Sequence, residues 1–261
     1  MCQTFLPEDL RARYGGYRLV GSVHIEAERS RQEQVAETKW LEAQNAATGL
    51  PSAIVGHVYF VQPDCAAILA QHAASPLVRG IRSKPVISDG PGHSVAGQPG
   101  TMQDPRWLDG YALLAKHGLS WDLRVPYWHL AEAAEVARAF PDIAVVANHL
   151  GLPLDRSEAG LAMWRRGMAA LVDCPNVSLK VSELGLPNGH WDRAGNARLV
   201  REAIGLFGWD RVMFASNLPV SGLSADLPTV IQTVLEAVPD AEPDQIDRLF
   251  RRNGMTFYRV A

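Results

Sequence analysis

The chain has 261 residues, of which 47% are hydrophobic and 20% are charged, and its formal net charge is −3 at pH 7. Such values are typical of a globular protein in water and provide no basic surface for nucleic acid and no single-sign charge for a membrane. The sequence contains no apolar run of about 18 residues and begins without a secretory pattern. Because its three cysteines (Cys2, Cys65 and Cys174) are far apart and form no CxxC pair, we expect reduced thiols and a cytoplasmic location.

Short apolar runs alternate with longer helical patterns along the chain. The seven runs predicted as strands are, in chain order, Leu19–Ala27, Ala53–Phe60, Val78–Arg82, Leu119–Val125, Ile143–His149, Val177–Val181 and Val212–Asn217. Residues 84–105, rich in Gly and Pro, separate the third run from its helix and are predicted to form an irregular loop that acts as a lid. Strands that alternate with helices predict βαβ units and a parallel sheet.

The number of units defines the predicted fold class. The pattern is that of an α/β protein with a TIM (β/α)-barrel, which closes with eight strand–helix units, whereas seven are found. Residues 1–18 are polar and rich in turn formers, so the missing strand is the first one. We therefore predict a single domain, residues 1–261, that forms an incomplete barrel lacking its first β-strand.

Each predicted strand becomes polar near its C-terminal end. The polar residues are His24 and Glu26, His57 and Tyr59, Arg82, Asp122 and Arg124, Asn148 and His149, Lys180, Ser182 and Glu183, and Ser216 and Asn217. Unpaired charges are costly in a packed core, but barrel enzymes build their sites at this end of the strands. The pattern therefore predicts a polar site at the barrel mouth, with separate ion pairs such as Asp122 with Arg124 as the alternative.

Several motifs carry a resemblance to a known family. The segments GSVHIEAE, LVRGIR, VVANHLGLP, SLKVSELG and RVMFASNLPVSG stand in the order expected for the amidohydrolase-related TIM-barrel hydrolases. Within that family the chain is most similar to the lactonase-like branch, which acts on sugar lactones, pyrone dicarboxylates and muconolactones. In the family, a first strand carries an HxH pair, a later His precedes LGxP, and the last strand carries an Asp that acts as the base.

The resemblance assigns roles to three residues. His149 in NHLGLP matches the later histidine, and Arg82 lies where the branch holds an anionic or carbonyl-bearing substrate. Asn217 in ASNLP takes the place of the Asp, and an amide cannot accept a proton near neutral pH. The HxH pair is absent. A zinc site normally has three or four protein ligands, so the sequence predicts no metal site with the family ligands, and one divalent metal such as zinc would need replacement ligands.

The resulting hypothesis is a hydrolase that opens a lactone or similar cyclic ester with activated water. His149 and Arg82 would polarise the carbonyl, Asn217 would orient water, and Glu26, Glu183 or His24 would be the base. The remaining expected contacts to a small-molecule substrate are His57, Tyr59, Arg124, Lys180 and Glu183. Two alternatives stay open: a non-catalytic relative that binds a sugar acid or lactone, and a gene start further upstream that restores the HxH strand. Unpaired strand edges also predict a homodimer.

Overall fold

The computed structural model describes residues 4–186 and 189–260. It contains one parallel sheet in which the strands follow one another in chain order. The strands are β1 (Val23–Ile25), β2 (Ala53–Gly56), β3 (Val78–Ile81), β4 (Ser120–Leu123), β5 (Val145–Ala147), β6 (Val177–Val181) and β7 (Val212–Phe214). The predicted incomplete (β/α)-barrel is confirmed, because seven parallel strands are present and residues 4–22 contain none.

Ten α-helices were identified in the described residues. They are α1 (Pro7–Arg13), α2 (Gln34–Thr48), α3 (Cys65–Ala73), α4 (Pro105–His117), α5 (Leu130–Ala139), α6 (Glu158–Val172), α7 (Arg193–Phe207), α8 (Leu227–Ala237), α9 (Pro243–Asp247) and α10 (Asn253–Phe257). Several helix ends follow from local sequence: Asp104 caps α4 by accepting from the Arg106 amide, and Gly118 ends it in the left-handed conformation. None of the described helices is long and apolar enough to cross a membrane.

The two faces of the sheet bury different clusters. The larger apolar cluster, which includes Trp107, Trp121 and Trp164, lies between the strands and the helices. A smaller cluster on the inner face contains Val55, Val146, Met213 and Tyr258, with Val23 and Ile25 of β1 packed against it. Because side chains alternate along a strand, these inner residues identify which positions point into the barrel.

Tyr258, just after α10, lies inside the curled sheet next to a buried ion pair. Lys180 of β6 donates to the Asp122 carboxylate of β4, and the two side chains are 6% and 0% exposed. The Tyr258 hydroxyl lies 2.9 Å from Asp122 Oδ1 and 3.1 Å from Oδ2, to which it donates. Asp122 therefore pairs with Lys180 below the mouth, and the alternative pairing with Arg124 is wrong because the carboxylate is already occupied.

The N-terminal segment spans the space between the two ends of the sheet. Arg11 of α1 donates to the Thr48 carbonyl at the end of α2 (3.1 Å). On the other side, Tyr14 lies near Ser216, which follows β7, and Gln232 of α8 donates to the Tyr17 hydroxyl (3.0 Å). We call residues 7–17 the N-terminal bridge, because they connect the β1 side of the sheet to the β7 side.

The irregular loop predicted over residues 84–105 extends in the structure from Arg82 to Asp104, between β3 and α4, and it is anchored at both ends. The Ser88 amide donates to His129 Nε2 (2.9 Å), and Trp128 Nε1 donates to Ser88 Oγ (3.1 Å). Near the other end, the Gly100 amide donates to Asp104 (2.7 Å). Cys65 and Cys174 are buried free thiols, whereas Cys2 lies outside the described residues.

Candidate active site at the barrel mouth

Strained backbone marks the C-terminal ends of four strands. Glu28, His149, Glu183 and Asn217 have φ values of 55°, 60°, 52° and 49°, and they follow β1, β5, β6 and β7. Positive φ is uncommon outside glycine because Cβ crowds the neighbouring carbonyl, and such residues concentrate at functional sites. The strain therefore supports the mouth of the barrel as the candidate site.

One side of the mouth is occupied by a closed ion pair. Arg82 Nε donates to Glu26 Oε1 (2.5 Å), and Arg82 Nη2 donates to the Glu26 carbonyl (2.8 Å). The Glu28 amide donates to the other carboxylate oxygen of Glu26 (2.6 Å), and His57 Nδ1 lies 3.9 Å from that oxygen. The Glu26 side chain is only 1% exposed, so both of its oxygens are committed to the protein.

A cationic groove adjoins this ion pair. Lys84 donates to Glu28 Oε2 (2.5 Å), and the Arg31 guanidinium lies 4.2 Å from the centre of the Tyr59 ring. The His57 and Tyr59 rings meet edge to face, 4.5 Å apart. The anchored loop forms the other wall of this groove, which encloses a cavity of about 270 Å³.

His149 is held as a neutral imidazole on the opposite side of the mouth. Its Nδ1 lies 2.9 Å from Ser182 Oγ, within hydrogen-bonding distance. Burial holds the pKa of His149 well below its usual value, and the nearby cations of Arg124 and Lys180 lower that pKa further. The ring therefore stays uncharged at neutral pH.

Glu183 and Asn217 meet at the ends of β6 and β7. The Asn217 amide donates to the Glu183 carboxylate. Burial raises the pKa of Glu183 above its ordinary value, and the positive charge of Arg124 partly opposes that rise. A half-buried carboxylate with a raised pKa is suited to accept and return a proton.

His24 lies apart from these groups, although the sequence places it near the end of β1. Its neighbours Val23 and Ile25 pack against the inner cluster, so His24 points to the helix layer. There its Nε2 donates to Glu37 Oε1 of α2 (3.0 Å), and the same oxygen accepts from the Ala27 amide (2.8 Å).

Asn148 is one of the polar strand-end residues, but the sequence reasoning gave it no role in the site. It is 2% exposed, and neither Nδ2 nor Oδ1 has a hydrogen-bonding partner within residues 4–186 and 189–260. Its place next to His149 at the end of a buried strand was visible in the sequence. Its lack of a hydrogen-bonding partner depends on the packing of three strands and could not be predicted from the sequence.

The residues at the mouth do not fit a metal ion. In the described part of the chain, no group of three or more His, Cys, Asp or Glu side chains is arranged to hold one. Glu26 is committed to Arg82, and His24 faces α2, so neither replaces the missing HxH ligands beside His149.

The sites predicted from sequence thus fall into three groups. Glu26, Arg82, His57 and Tyr59 lie together on the β1–β3 side of the mouth. The β4–β7 side holds the second group, His149, Glu183, Asn217 and the exposed Arg124. Lys180 and His24 are held elsewhere, the first by Asp122 below the mouth and the second by Glu37 in the helix layer.

Comparisons with known proteins agree with this architecture. Residues 4–260 match the sequence profile of a family described as amidohydrolase. An uncharacterized protein, y4mH of Sinorhizobium fredii, is 34% identical over 258 residues, which cover 99% of this chain and 86% of the relative. An L-fucono-1,5-lactonase of Burkholderia ambifaria is 29% identical over 238 residues, or 86% of this chain and 76% of that enzyme.

A solved structure shows the same fold. The crystal structure of an amidohydrolase from Burkholderia multivorans with bound zinc superposes with a TM-score of 0.82 at 23% identity, covering 98% of this chain and 89% of that one. The zinc belongs to that protein. In this chain, the described residues at the mouth do not form an equivalent ligand set.

Proposed function

The chain belongs to the amidohydrolase family, and on this premise we propose that it hydrolyses a lactone of the sugar-acid type by adding water to the ring ester. The lactonase names of two relatives, an L-fucono-1,5-lactonase and an L-rhamnono-gamma-lactonase, support this reaction class. The observation that carries the proposal is the half-buried Glu183 at the mouth, whose pKa is raised by burial.

Glu183 is the proposed general base. Of the three candidates, Glu26 already accepts from Arg82 and from the Glu28 amide, and His24 faces the helix layer. Glu183 is bound only by the neutral amide of Asn217 among the hydrogen bonds of the described residues. Its raised pKa brings it closer to the operating pH, where a base is most effective.

His149 is the proposed donor to the lactone carbonyl. When the Ser182 hydroxyl donates to Nδ1, the single proton of the neutral ring is on Nε2, which can then donate to a carbonyl oxygen. The charges of Arg82 and Arg124 lower the pKa of His149, and the same charges stabilise an oxyanion formed next to it. Arg82 stabilises the oxyanion through the electrostatic field of its charge while it remains paired with Glu26.

The proton balance closes without a metal step. Glu183 takes one proton from water while the oxygen of that water bonds to the carbonyl carbon. The tetrahedral intermediate then collapses, the ring C–O bond breaks, and the departing alkoxide takes the proton back from Glu183. The product is the open hydroxy acid, and Glu183 returns to its starting state.

Asn217 is proposed to orient Glu183. Its amide donates to one carboxylate oxygen, which leaves the other oxygen to accept a proton from water. In this arrangement the amide positions the base and does not replace it.

The test is hydrolysis of a 1,5-aldonolactone, followed with a pH indicator in weak buffer. Glu183→Gln should lower kcat by about 10² to 10⁴-fold, the usual effect of removing a general base. Glu202→Gln is the matched control, because Glu202 pairs with Arg165 on the outer surface of α6 and α7. Equal rates for the wild type and Glu183→Gln would contradict the assignment of the base.

A wild-type rate no faster than buffer would contradict the proposed reaction. Calorimetric binding of the aldonate without turnover would then favour the second candidate, a binding protein for sugar acids. The observation that favours this second candidate is the closed Glu26–Arg82 pair at the mouth.

Two further properties complete the proposal. We place the protein in the cytoplasm, on the support of the buried free thiols of Cys65 and Cys174. We also propose a homodimer, because β1 and β7 stand at the two ends of the sheet in the described residues and strand edges favour association. A monomeric mass by light scattering would contradict the dimer.

A further inference from the structure

Asn148 is a buried amide at the mouth without a protein partner. Only 2% of the residue is exposed, and neither its oxygen nor its nitrogen is bonded within the described part of the chain. An apolar side chain with the same branched shape, such as Leu, would avoid the cost of burying these two polar atoms. The amide therefore needs an explanation other than packing.

The backbone fixes the direction of this amide. Asn148 is extended (φ −76°, ψ 148°), and its N–H donates to the Leu123 carbonyl (2.8 Å), so it continues β5 beside β4. Val146, two residues earlier, packs in the inner cluster. Asn148 therefore points inward, one layer nearer the mouth than Val146.

The strand register identifies the neighbours of Asn148. Ala147 is opposite Leu123 in β4 and opposite Leu179 in β6. The next residues in register are Arg124 and Lys180, so the amide lies between these two positions and immediately before His149. Lys180 is already paired with Asp122.

The chemistry of a primary amide limits the partner. It offers a donor and an acceptor next to each other, and hydroxyl groups supply both functions. A carboxylate or phosphate can only accept and would leave Oδ1 unpaired. An ammonium can only donate and would leave Nδ2 unpaired. A pair of hydroxyls on adjacent ring carbons satisfies both atoms.

We infer that Asn148 is a specificity-determining residue, which holds adjacent ring hydroxyls of the substrate and selects hydroxylated lactones over unsubstituted ones. This inference rests on the proposed lactone hydrolysis, and it adds a residue and a discrimination that the proposed mechanism does not require.

The test compares two lactones with the same reacting ester, galactono-1,5-lactone and δ-valerolactone. Asn148→Leu should lower kcat/KM for the hydroxylated lactone by about 10- to 100-fold, because a hydroxyl would then be buried without its partner. The rate with δ-valerolactone should stay unchanged or rise. Asn148→Leu should also raise the melting temperature of the free protein, because two unbonded polar atoms are removed.

Asn196→Leu is the matched control. Asn196 is a fully buried amide whose Nδ2 also lacks a partner among the described residues, but it lies on α7 in the helix layer. This variant should leave the ratio of the two kcat/KM values unchanged. Equal loss of both activities in Asn148→Leu, or an unchanged ratio, would overturn the inference.

Failure of the proposed function gives a different result. If the wild type hydrolyses neither lactone, calorimetry with galactonate and 5-hydroxypentanoate tests Asn148 by itself. Loss of galactonate affinity in Asn148→Leu, with 5-hydroxypentanoate unaffected, supports the inference. Equal galactonate affinity in the wild type and the variant overturns it.

Discussion

Replacing Lys180 by Met should destabilise the fold far more than the loss of a surface ion pair would, because the Asp122 carboxylate would lose its cation inside the sheet. The two side chains are 6% and 0% exposed. Removing one partner of a buried pair costs about 3–5 kcal/mol, because the remaining charge is buried without compensation. The Tyr258 hydroxyl still donates to Asp122 and should keep the loss near the lower limit.

The assay is urea unfolding followed by circular dichroism, with melting temperatures as a second readout. For a chain of this size, a loss of about 3–5 kcal/mol corresponds to a fall of roughly 6–20 °C. The double variant Asp122→Asn/Lys180→Met should recover most of the loss, because an amide carries no charge and can still accept from Tyr258. Arg193→Met, which breaks an exposed pair with Glu236, is the surface control and should change little.

The double variant distinguishes a lost charge partner from lost packing. It keeps the change at position 180 and removes the unpaired charge at position 122, so only the charge effect should be recovered. A Lys180→Met variant as stable as the wild type, or a double variant that recovers none of the loss, would refute this reasoning.

Three further predictions concern pH and metals. Burial raises the pKa of Glu183, so the apparent pKa of the acid limb in the pH profile of kcat/KM should lie above about 4.3, the ordinary pKa of a glutamate. An apparent pKa at or below that value would contradict the role of Glu183 as the base. Burial lowers the pKa values of His57, His72 and His149, so the unfolded state binds more protons below roughly pH 6.5. The free energy of unfolding in urea should therefore fall as the solution is acidified through that range, and a flat profile would argue against three neutral buried rings. Dialysis against a chelator should leave lactone hydrolysis unchanged, whereas a loss restored by zinc would show that a ligand set forms that the described residues do not display.

Local patterns were sufficient to predict the fold. The alternation of strands and helices predicts a parallel sheet, and the polar residues at the C-terminal end of each strand indicate where the barrel mouth lies. The absence of a strand before β1 could likewise be predicted, because residues 1–18 are polar and rich in turn formers and contain no apolar run. The role of residues 7–17 in bridging the two ends of the sheet could not be predicted, because it depends on a contact between Tyr17 and Gln232, which are 215 positions apart.

The site was predictable in composition but not in pairing. Asp122 and Arg124 share a face of one strand, so a local pair was a reasonable expectation, yet Lys180 reaches Asp122 from two strands away. The orientation of His24 depends on which face of β1 packs inward, and residue spacing alone leaves this undetermined. Glu183 stands out only after folding, when burial raises its pKa.

The chain-order pairing of the strands has a consequence for local opening of the protein. In the described residues, β1 is bonded to β2 through three residue pairs, whereas the central strands are flanked on both sides. The first strand–helix unit is therefore joined to the rest mainly by β2, α3 and the thin N-terminal bridge. Its amides should exchange with deuterium through a sub-global opening while β4, β5 and β6 remain protected up to complete unfolding. Because Glu26 lies in this unit, each such opening would also release Arg82 at the mouth.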